Sequence, residues 1–490
     1  MNSAKYYRLI VYYLSIFIIM IGIIQFLPLL VLPFYPDEIS YAPCFLIPGA
    51  VAVFLGYLIR FFFRETEIVK LEKHYDAVLV VMVWVLAIFV STFPWMLKGD
   101  YNFTQASFEM TSGFSTTGLS VVDVDHTPHI FLMFRSITLF VGGVGLVLIL
   151  TCAFSDKYGL NLYHVEGHND RLMPNLAKSA RLILSIYSCY ILVGTLAYII
   201  LGMPVFDAIN TAIAALSTGG FSVIGESIYG YHNLGIEIVT IIMMLLGQTN
   251  FLLHLSMIRK NFRNVWHHCE TKFLLVLIVT ILPFMVHNLL HFNYTGDFWE
   301  SVRISVFQFV TCLTTTGFVS VKDMSVLPSG FITFMVLLML FGGDLESTGG
   351  GIKQYRVIVV LKGIWYSIFD TVSNPRMVKT HFIERAGKKS ELSDEEISHT
   401  SSYILFYLCL FFLGSLIFTL HGYSLQDSMF EFSSAISTVG LSVGITNYHA
   451  SGMILWTAII GMFLGRLELM VVFEAILRGY KDIKGKENLS

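Results

Sequence analysis

The sequence predicts an all-α integral membrane protein. It consists of four repeated units of long helix, half-helix and long helix (M1–P–M2, pseudo-four-fold) behind two extra N-terminal transmembrane helices, ten spans in all with both termini cytoplasmic. Three observations predict it. Of 490 residues, 55% are hydrophobic and only 13% charged, against about 25% charged in a soluble domain. Too few charges remain to cover a water-facing surface, so hydrocarbon is the natural solvent. A Thr-x-Gly string followed by a bulky residue recurs at Thr116-Thr117-Gly118-Leu119, Thr218-Gly219-Gly220-Phe221, Thr315-Thr316-Gly317-Phe318 and Thr438-Val439-Gly440-Leu441. Its spacing of roughly 100 to 120 residues marks an internal repeat. Basic residues collect in alternate connections, as the positive-inside rule requires.

The elements follow in order. Residues 9–32 form an apolar run of about 24 residues behind Lys5 and Arg8. That is longer than a signal-peptide core of about 7–15, so it reads as a retained span. A second span, 44–63, follows the acidic turn Pro33-Phe34-Tyr35-Pro36-Asp37-Glu38, and the pair makes up region 1–70. The four units are 71–165, 166–265, 266–370 and 401–490, with a charged cytoplasmic linker at 371–400. Their long spans fall at 75–97 and 128–154, 181–201 and 233–258, 272–291 and 330–363, and 402–420 and 452–477. The half-spans 103–115, 205–217, 298–314 and 425–437 are too short to cross and read as re-entrant pieces. A non-helical loop at membrane depth is tolerated only inside protein or beside a watery cavity, which gives the Thr/Gly loops a reason to surround a pore.

Charge tests the orientation independently. With the N-terminus inside, the inner connections hold Arg60, Lys70, Lys157, Lys178, Arg259, Lys260, Arg263, Lys272, Arg385 and Lys389, and the tail adds Arg478 and Lys481. The outer ones carry Asp37, Glu38, Asp100, Asp123, Asp125, Glu226, Asp297 and Asp323, with few basic residues beyond Lys98 and Lys322. No basic patch interleaves with aromatics, so nucleic acid is excluded as a partner. The six cysteines form no CxxC pair and read as buried free thiols. His164 and His168 read as a solvated loop pair rather than metal ligands.

A bare cation in hydrocarbon needs its water shell replaced by oxygen dipoles, which backbone carbonyls and Thr hydroxyls supply without fixed charge. Glycine permits the backbone conformations that turn successive carbonyls inward. Each half-helix precedes its loop, so its C-terminal end, with unpaired carbonyls, adds partial negative charge. A single Thr-Thr-Gly reads as a glycine-capped helix end; four in the same topological position do not. The candidate ion-binding residues are Thr116, Thr117, Gly118, Thr218, Gly219, Gly220, Thr315, Thr316, Gly317, Thr438, Val439 and Gly440. Gly342, Gly343, Gly349, Gly350 and Gly351 inside one apolar span predict a broken helix. An arginine well inside a span, Arg466, should face a cavity or a carboxylate.

The chain resembles the superfamily of K⁺ transporters that includes the Trk, Ktr and HKT types, nearest the TrkH type. The resemblance rests on 108–118 (FEMTSGFSTTG), Phe134-Arg135-Ser136 leading to Gly142-Gly143-Val144-Gly145, and Ser217-Thr218-Gly219-Gly220-Phe221-Ser222. Asn250-Phe251, Ser347-Thr348-Gly349-Gly350-Gly351-Ile352-Lys353 and Gly465-Arg466-Leu467-Glu468 extend it over all four units. The resemblance implies potassium uptake through a pore within one subunit, a gate in the third unit at 342–351 and a role for Arg466 and Lys353 beside it. It also implies a homodimer in the inner membrane of a bacterial cell, and a cytosolic nucleotide-binding regulatory subunit of the TrkA kind. K⁺ is the transported ion, and no organic cofactor is expected in this chain.

The sequence departs from that pattern in placing Asp344 and Glu346 after the Gly pair, where one of them is expected to pair with Arg466 or Lys353. Ser120, Ser222, Val319 and Ser442 stand where a second filter glycine would be, which predicts a short ladder. The alternative within transport is an H⁺- or Na⁺-coupled symporter, with Glu109 and Glu431 as candidate coupling carboxylates; their competing role is to brace loop amides. An intramembrane aspartyl protease, suggested by Tyr75-Asp76 and Gly343-Asp344, is rejected. Phe341 breaks the required Gly-x-Gly-Asp, and Asp76 lies at a helix end.

Overall fold

The computed structural model describes residues 3–63, 75–145, 176–372, 381–385 and 388–487. His164, His168 and most of the connection between the first two units lie outside these. The described chain is helical but for one hairpin, Phe382–Arg385 paired antiparallel with Lys388–Glu391. That hairpin stands in the charged linker, read from sequence as a solvated connection. Its Ile383 is buried with Cys269, Ile358 and Leu392, so one alternating apolar position suffices to anchor it.

Among the described residues, six helical stretches are long and apolar enough to cross a bilayer: Tyr6–Val31, Pro36–Phe62, Tyr75–Lys98, Ala180–Ile200, Cys269–His291 and Asp394–Leu420. The first two cross closely. A Cβ on Gly22 would lie 2.8 Å from the Gly49 carbonyl, an approach that only small residues allow. Three of the four remaining predicted spans are interrupted among the described residues, and the fourth is described only as far as Gly145. Leu234–Gln248 and Phe251–Ile258 meet at 112°. Ser329–Phe341 is separated from Gln354–Val372 by the glycine-rich loop, and Gly452–Arg466 from Leu469–Glu487 by Leu467 and Glu468. His129–Val144 ends at Gly145, with φ +98°. The sequence reading expected one broken helix, in the third unit. Breaks at Thr249 and Glu468 were not expected, because neither carries the glycine run that announces one.

Four short helices, Phe103–Phe114, Val205–Leu216, Phe298–Leu313 and Leu425–Ile436, precede the Thr/Gly loops. Their outer ends are fixed locally. Asn102 and Gln105 form a capping box, Asp297 accepts from the Glu300 amide and Ser424 from the Asp427 amide, while the second helix starts after Pro204. Around them lies the main apolar core, in which Leu216, Phe307, Leu313, Phe331 and Leu441 are all within 1% of full burial. Cys44, Cys269 and Cys312 are buried thiols, but Cys189 and Cys409 are exposed, unlike the expectation for buried groups.

Candidate functional site

Each half-helix ends the same way. The amides of Thr116, Thr218, Thr315 and Thr438 donate to carbonyls three residues back, at Gly113, Ala215, Cys312 and Ala435. The next amides (Thr117, Gly219, Thr316, Val439) donate five back, to Ser112, Ala214, Thr311 and Ser434, at 2.8–3.0 Å. This is the Schellman pattern, whose left-handed position glycine normally fills. Here threonine fills it four times, with φ of 54°, 52°, 53° and 53°. A β-branched residue in that region is strained, by about 1–3 kcal/mol each, and such strain gathers at functional sites. The sequence reading rejected a glycine cap for the four repeated strings; in the structure threonine takes the left-handed cap position and glycine comes two residues later.

Those glycines join the four loops. A Cβ on Gly118 would strike the Gly219 carbonyl; on Gly220, that of Thr316; on Gly317, that of Val439; and on Gly440, that of Thr117. Loop one thus backs on two, two on three, three on four and four on one. The ring closes within one chain, and its backbone packing leaves no room for a side chain at any of the four.

Behind the ring, hydroxyls hold it. The amides of Gly118, Gly317 and Gly440 donate to Ser112 Oγ, Thr311 Oγ1 and Ser434 Oγ at 3.0, 3.1 and 3.0 Å. In the second loop that position is Ala214, and the Gly220 amide reaches only its carbonyl, at 3.4 Å. Gly220 has φ +56°, whereas its three counterparts lie at +91° to +100°. Thr117 and Thr316 hydroxyls bond Ser115 and Thr314 at 2.6 and 2.7 Å. The hydroxyls of Thr116 and Thr438 are buried and have no hydrogen-bond partner among the described residues.

Glu109 and Glu431 stand at matching places, nine residues before the loop glycine, and both are fully buried. Glu109 accepts from Arg135 Nε at 2.7 Å, from Ser120 Oγ at 3.0 Å and from the Val121 amide at 3.2 Å. Arg135 also donates to Ser120 Oγ and to the Ser222 carbonyl of the next loop, with its guanidinium 3.9 Å from the Phe221 ring centroid. Glu431 accepts from Ser442 Oγ, from the Val443 and Thr446 amides and from Thr446 Oγ1. Both carboxylates brace the segment that follows the ring. Gln308 and Thr211 take this place in the other units.

The glycine-rich loop 342–353 packs directly against three of the ring threonines. The Gly350 amide donates to Thr315 Oγ1 at 2.6 Å, Thr218 Oγ1 lies 3.2 Å from Thr348 Oγ1, and a Cβ on Gly350 would strike Thr438 Oγ1. Gly342, Glu346, Gly351 and Lys353 all have positive φ, so the loop doubles back tightly, closed by the Gly343 amide on the Gly350 carbonyl at 3.2 Å. Thr348 Oγ1 donates to the Gly247 carbonyl at 2.8 Å, beside the break in the second unit.

Arg466 spans the site. It donates to the Thr348 carbonyl at 2.8 Å and, across the molecule, to Gly142 and Gly143 carbonyls at 2.5 and 3.3 Å. Lys353 donates to the Gly349 carbonyl. Asp344 is buried within electrostatic range of Lys353 and Glu270. Below the loop is a cavity of about 50 Å³ among Glu346, Lys353, Arg356, Arg466 and Glu468.

Sequence reasoning missed Glu270. Its Oε2 is held by His268 at 2.7 Å, and its Oε1 accepts from the amides of Leu345 and Tyr355, one on each side of the run 349–351, at 2.7 and 3.1 Å. As an acid in the first turn of a helix it looked like an ordinary favourable N-terminal charge. Asn250 Nδ2, bonded to the Leu345 carbonyl at 2.7 Å, and Glu468, paired with Arg356 at 2.6 Å, also tie this loop's flanks to neighbouring breaks.

Known proteins resemble this chain over most of its length. An uncharacterized cation transporter of Methanocaldococcus jannaschii is 29% identical over 463 residues, covering 92% of this chain and 91% of its own. The Trk system potassium uptake protein TrkG of Escherichia coli is 29% identical over 425 residues, 82% of this chain and 84% of that one. The crystal structure of the potassium transporter TrkH from Vibrio parahaemolyticus has the same fold, with a TM-score of 0.83 at 22% identity, over 96% of this chain and 98% of that one. The family model of the TrkH cation transport proteins matches residues 42–478. The chain therefore belongs to the TrkH family, a multi-pass transporter of the inner membrane and not an enzyme.

Proposed function

We propose that the chain carries K⁺ into the cell through the ring of Thr/Gly loops. The observation that bears most weight is the closed cycle of contacts from Gly118 to Gly219, Gly220 to Thr316, Gly317 to Val439 and Gly440 to Thr117. Carbonyls gathered around one axis can replace a cation's water shell without fixed charge. The Trk potassium uptake relatives support K⁺ as the ion. The M1–P–M2 units would form ten spans, the broken ones lining the path with their carbonyls, as non-helical backbone in a membrane must.

The loop 342–353 is the gate in this reading. It lies against the ring threonines and is held by Glu270, Thr348 and Arg466. Arg466 sets a cation on the axis that K⁺ would follow, an electrostatic barrier that moves only with the loop. Opening requires its carbonyl bonds to be exchanged for others. A cytosolic nucleotide-binding subunit of the TrkA kind, acting on a homodimer, would supply that work.

Transport is passive in this reading. The two carboxylates that could couple H⁺ or Na⁺, Glu109 and Glu431, are each occupied by several donors and brace the pore instead. The test is ⁸⁶Rb⁺ flux in proteoliposomes with Na⁺ competition and an imposed pH gradient. Flux should follow the K⁺ gradient alone, and Gly440→Ser, which forces a side chain onto the Thr117 carbonyl, should abolish discrimination against Na⁺. Uphill K⁺ accumulation driven by a pH or Na⁺ gradient would replace this reading by symport.

A further inference from the structure

The hairpin in the linker creates a feature that ion conduction does not use. Between it, the start of Cys269–His291 and the middle of Gln354–Val372 lies a cleft of about 400 Å³. Its walls are apolar: Phe273, Val276, Ile358 and Phe382. Around them stand Lys272, Lys362 and Lys389, with His267 at the edge and Glu384 as the one acid in the lining. Lys272 is 3.4 Å from Glu384, and Lys362 donates to the Phe382 carbonyl at 3.0 Å. Three lysines against one glutamate leave a net charge of +2, with Lys272 and Lys389 exposed and Lys362 half-buried.

The surroundings give the cleft its depth. Trp266, next to His267, is 64% exposed, and Trp365, one turn beyond Lys362, is 65% exposed. Exposed tryptophans of a membrane protein concentrate at headgroup level. The helix bearing Lys362 exposes Leu361, Ile364, Trp365, Ile368 and Phe369, an apolar stripe at helical spacing that belongs against acyl chains. Arg259, Lys260 and Arg263 mark the same face as the cytoplasmic one. A pocket with apolar walls, a lysine rim and this depth matches an anionic amphiphile: a negative headgroup at the lysines and a chain against the phenylalanines.

We propose that this cleft binds an anionic phospholipid of the cytoplasmic leaflet. The headgroup phosphate bridges Lys272 and Lys362, hence the two helices whose first residues flank Glu270 and leave the glycine-rich loop. Lys389 on the hairpin closes over it.

The test reads binding, not flux, so it stands or falls apart from the proposed function. The full chain is placed in phosphatidylcholine bilayers containing brominated phosphatidylglycerol or brominated phosphatidylcholine. Quenching assigned to Trp266 and Trp365 is the difference from a Trp266→Phe/Trp365→Phe variant. Brominated phosphatidylglycerol should bind with a relative constant about tenfold higher. The combined Lys272→Gln, Lys362→Gln and Lys389→Gln variant should bring the ratio to about one while keeping its unfolding temperature. Inorganic phosphate at millimolar concentration should leave the preference intact. Equal quenching by both lipids in the unaltered chain overturns the proposal without any variant. So does a preference that survives loss of the lysines, and displacement by phosphate would assign the cleft to a free anion.

Discussion

Three of the four ring glycines have their amide held by a hydroxyl six residues earlier, and the fourth does not, which makes the chain its own control. Removing such a hydroxyl leaves a buried amide unsatisfied, at a cost of about 1–3 kcal/mol. Ser434→Ala should therefore lower K⁺ over Na⁺ discrimination by roughly fivefold to tenfold in competition flux while sparing uptake at saturating K⁺; unchanged discrimination would remove the hydroxyls from the selectivity argument. The second loop already lacks the brace at Ala214 and already shows the deviant φ at Gly220. At this scale the four Thr-x-Gly strings were legible, because a repeated local string needs no knowledge of packing. The left-handed threonines were not. Propensity assigns that conformation to glycine, and only the closed ring compensates for the exception.

The half-helix and its following segment form a unit held by a buried acid. Glu109→Ala would leave Arg135, 2% exposed, with its charge unpaired, a loss of roughly 3–5 kcal/mol by analogy with other buried pairs. A large fall in unfolding temperature in detergent is expected, and a much smaller one for Glu109→Gln, which still accepts from Arg135 and Ser120. If Glu109 instead coupled transport to protons, Gln would abolish a pH-driven component while leaving stability intact. The broken third helix is a second element. Thr348→Val removes its bond to the Gly247 carbonyl and its contact with Thr218, and should raise basal ⁸⁶Rb⁺ flux severalfold without a regulatory subunit. Glycine content announced this break; the breaks at Thr249 and Glu468 were hidden because polar residues of neighbouring breaks satisfy them. Asn250 reaches Leu345 and Glu468 reaches Arg356, partners about 95 and 112 residues away that no local pattern reveals.

Over the whole molecule, the ring is made by one chain, so the proposed conduction path would lie inside a subunit rather than between two. Co-reconstitution with a growing fraction of the Gly440→Ser chain should lower selective flux in proportion to that fraction. A steeper, squared fall would mean that two chains share one path. Six long apolar helices and the four short helices before the Thr/Gly loops were legible at this scale, since length and polarity are set by the bilayer. The lysine-rimmed cleft was not, since its walls come from two helices and a hairpin that sequence places far apart. The order of the ring has a consequence for synthesis. Loops meet in the order in which the ribosome makes them, and the last contact, Gly440 on the Thr117 carbonyl, joins the newest to the oldest. A chain stalled before its final unit has a ring with an open wall. Without loop four, the Gly317 and Thr117 contacts that it makes are missing, and the first and third units face an unfilled seam.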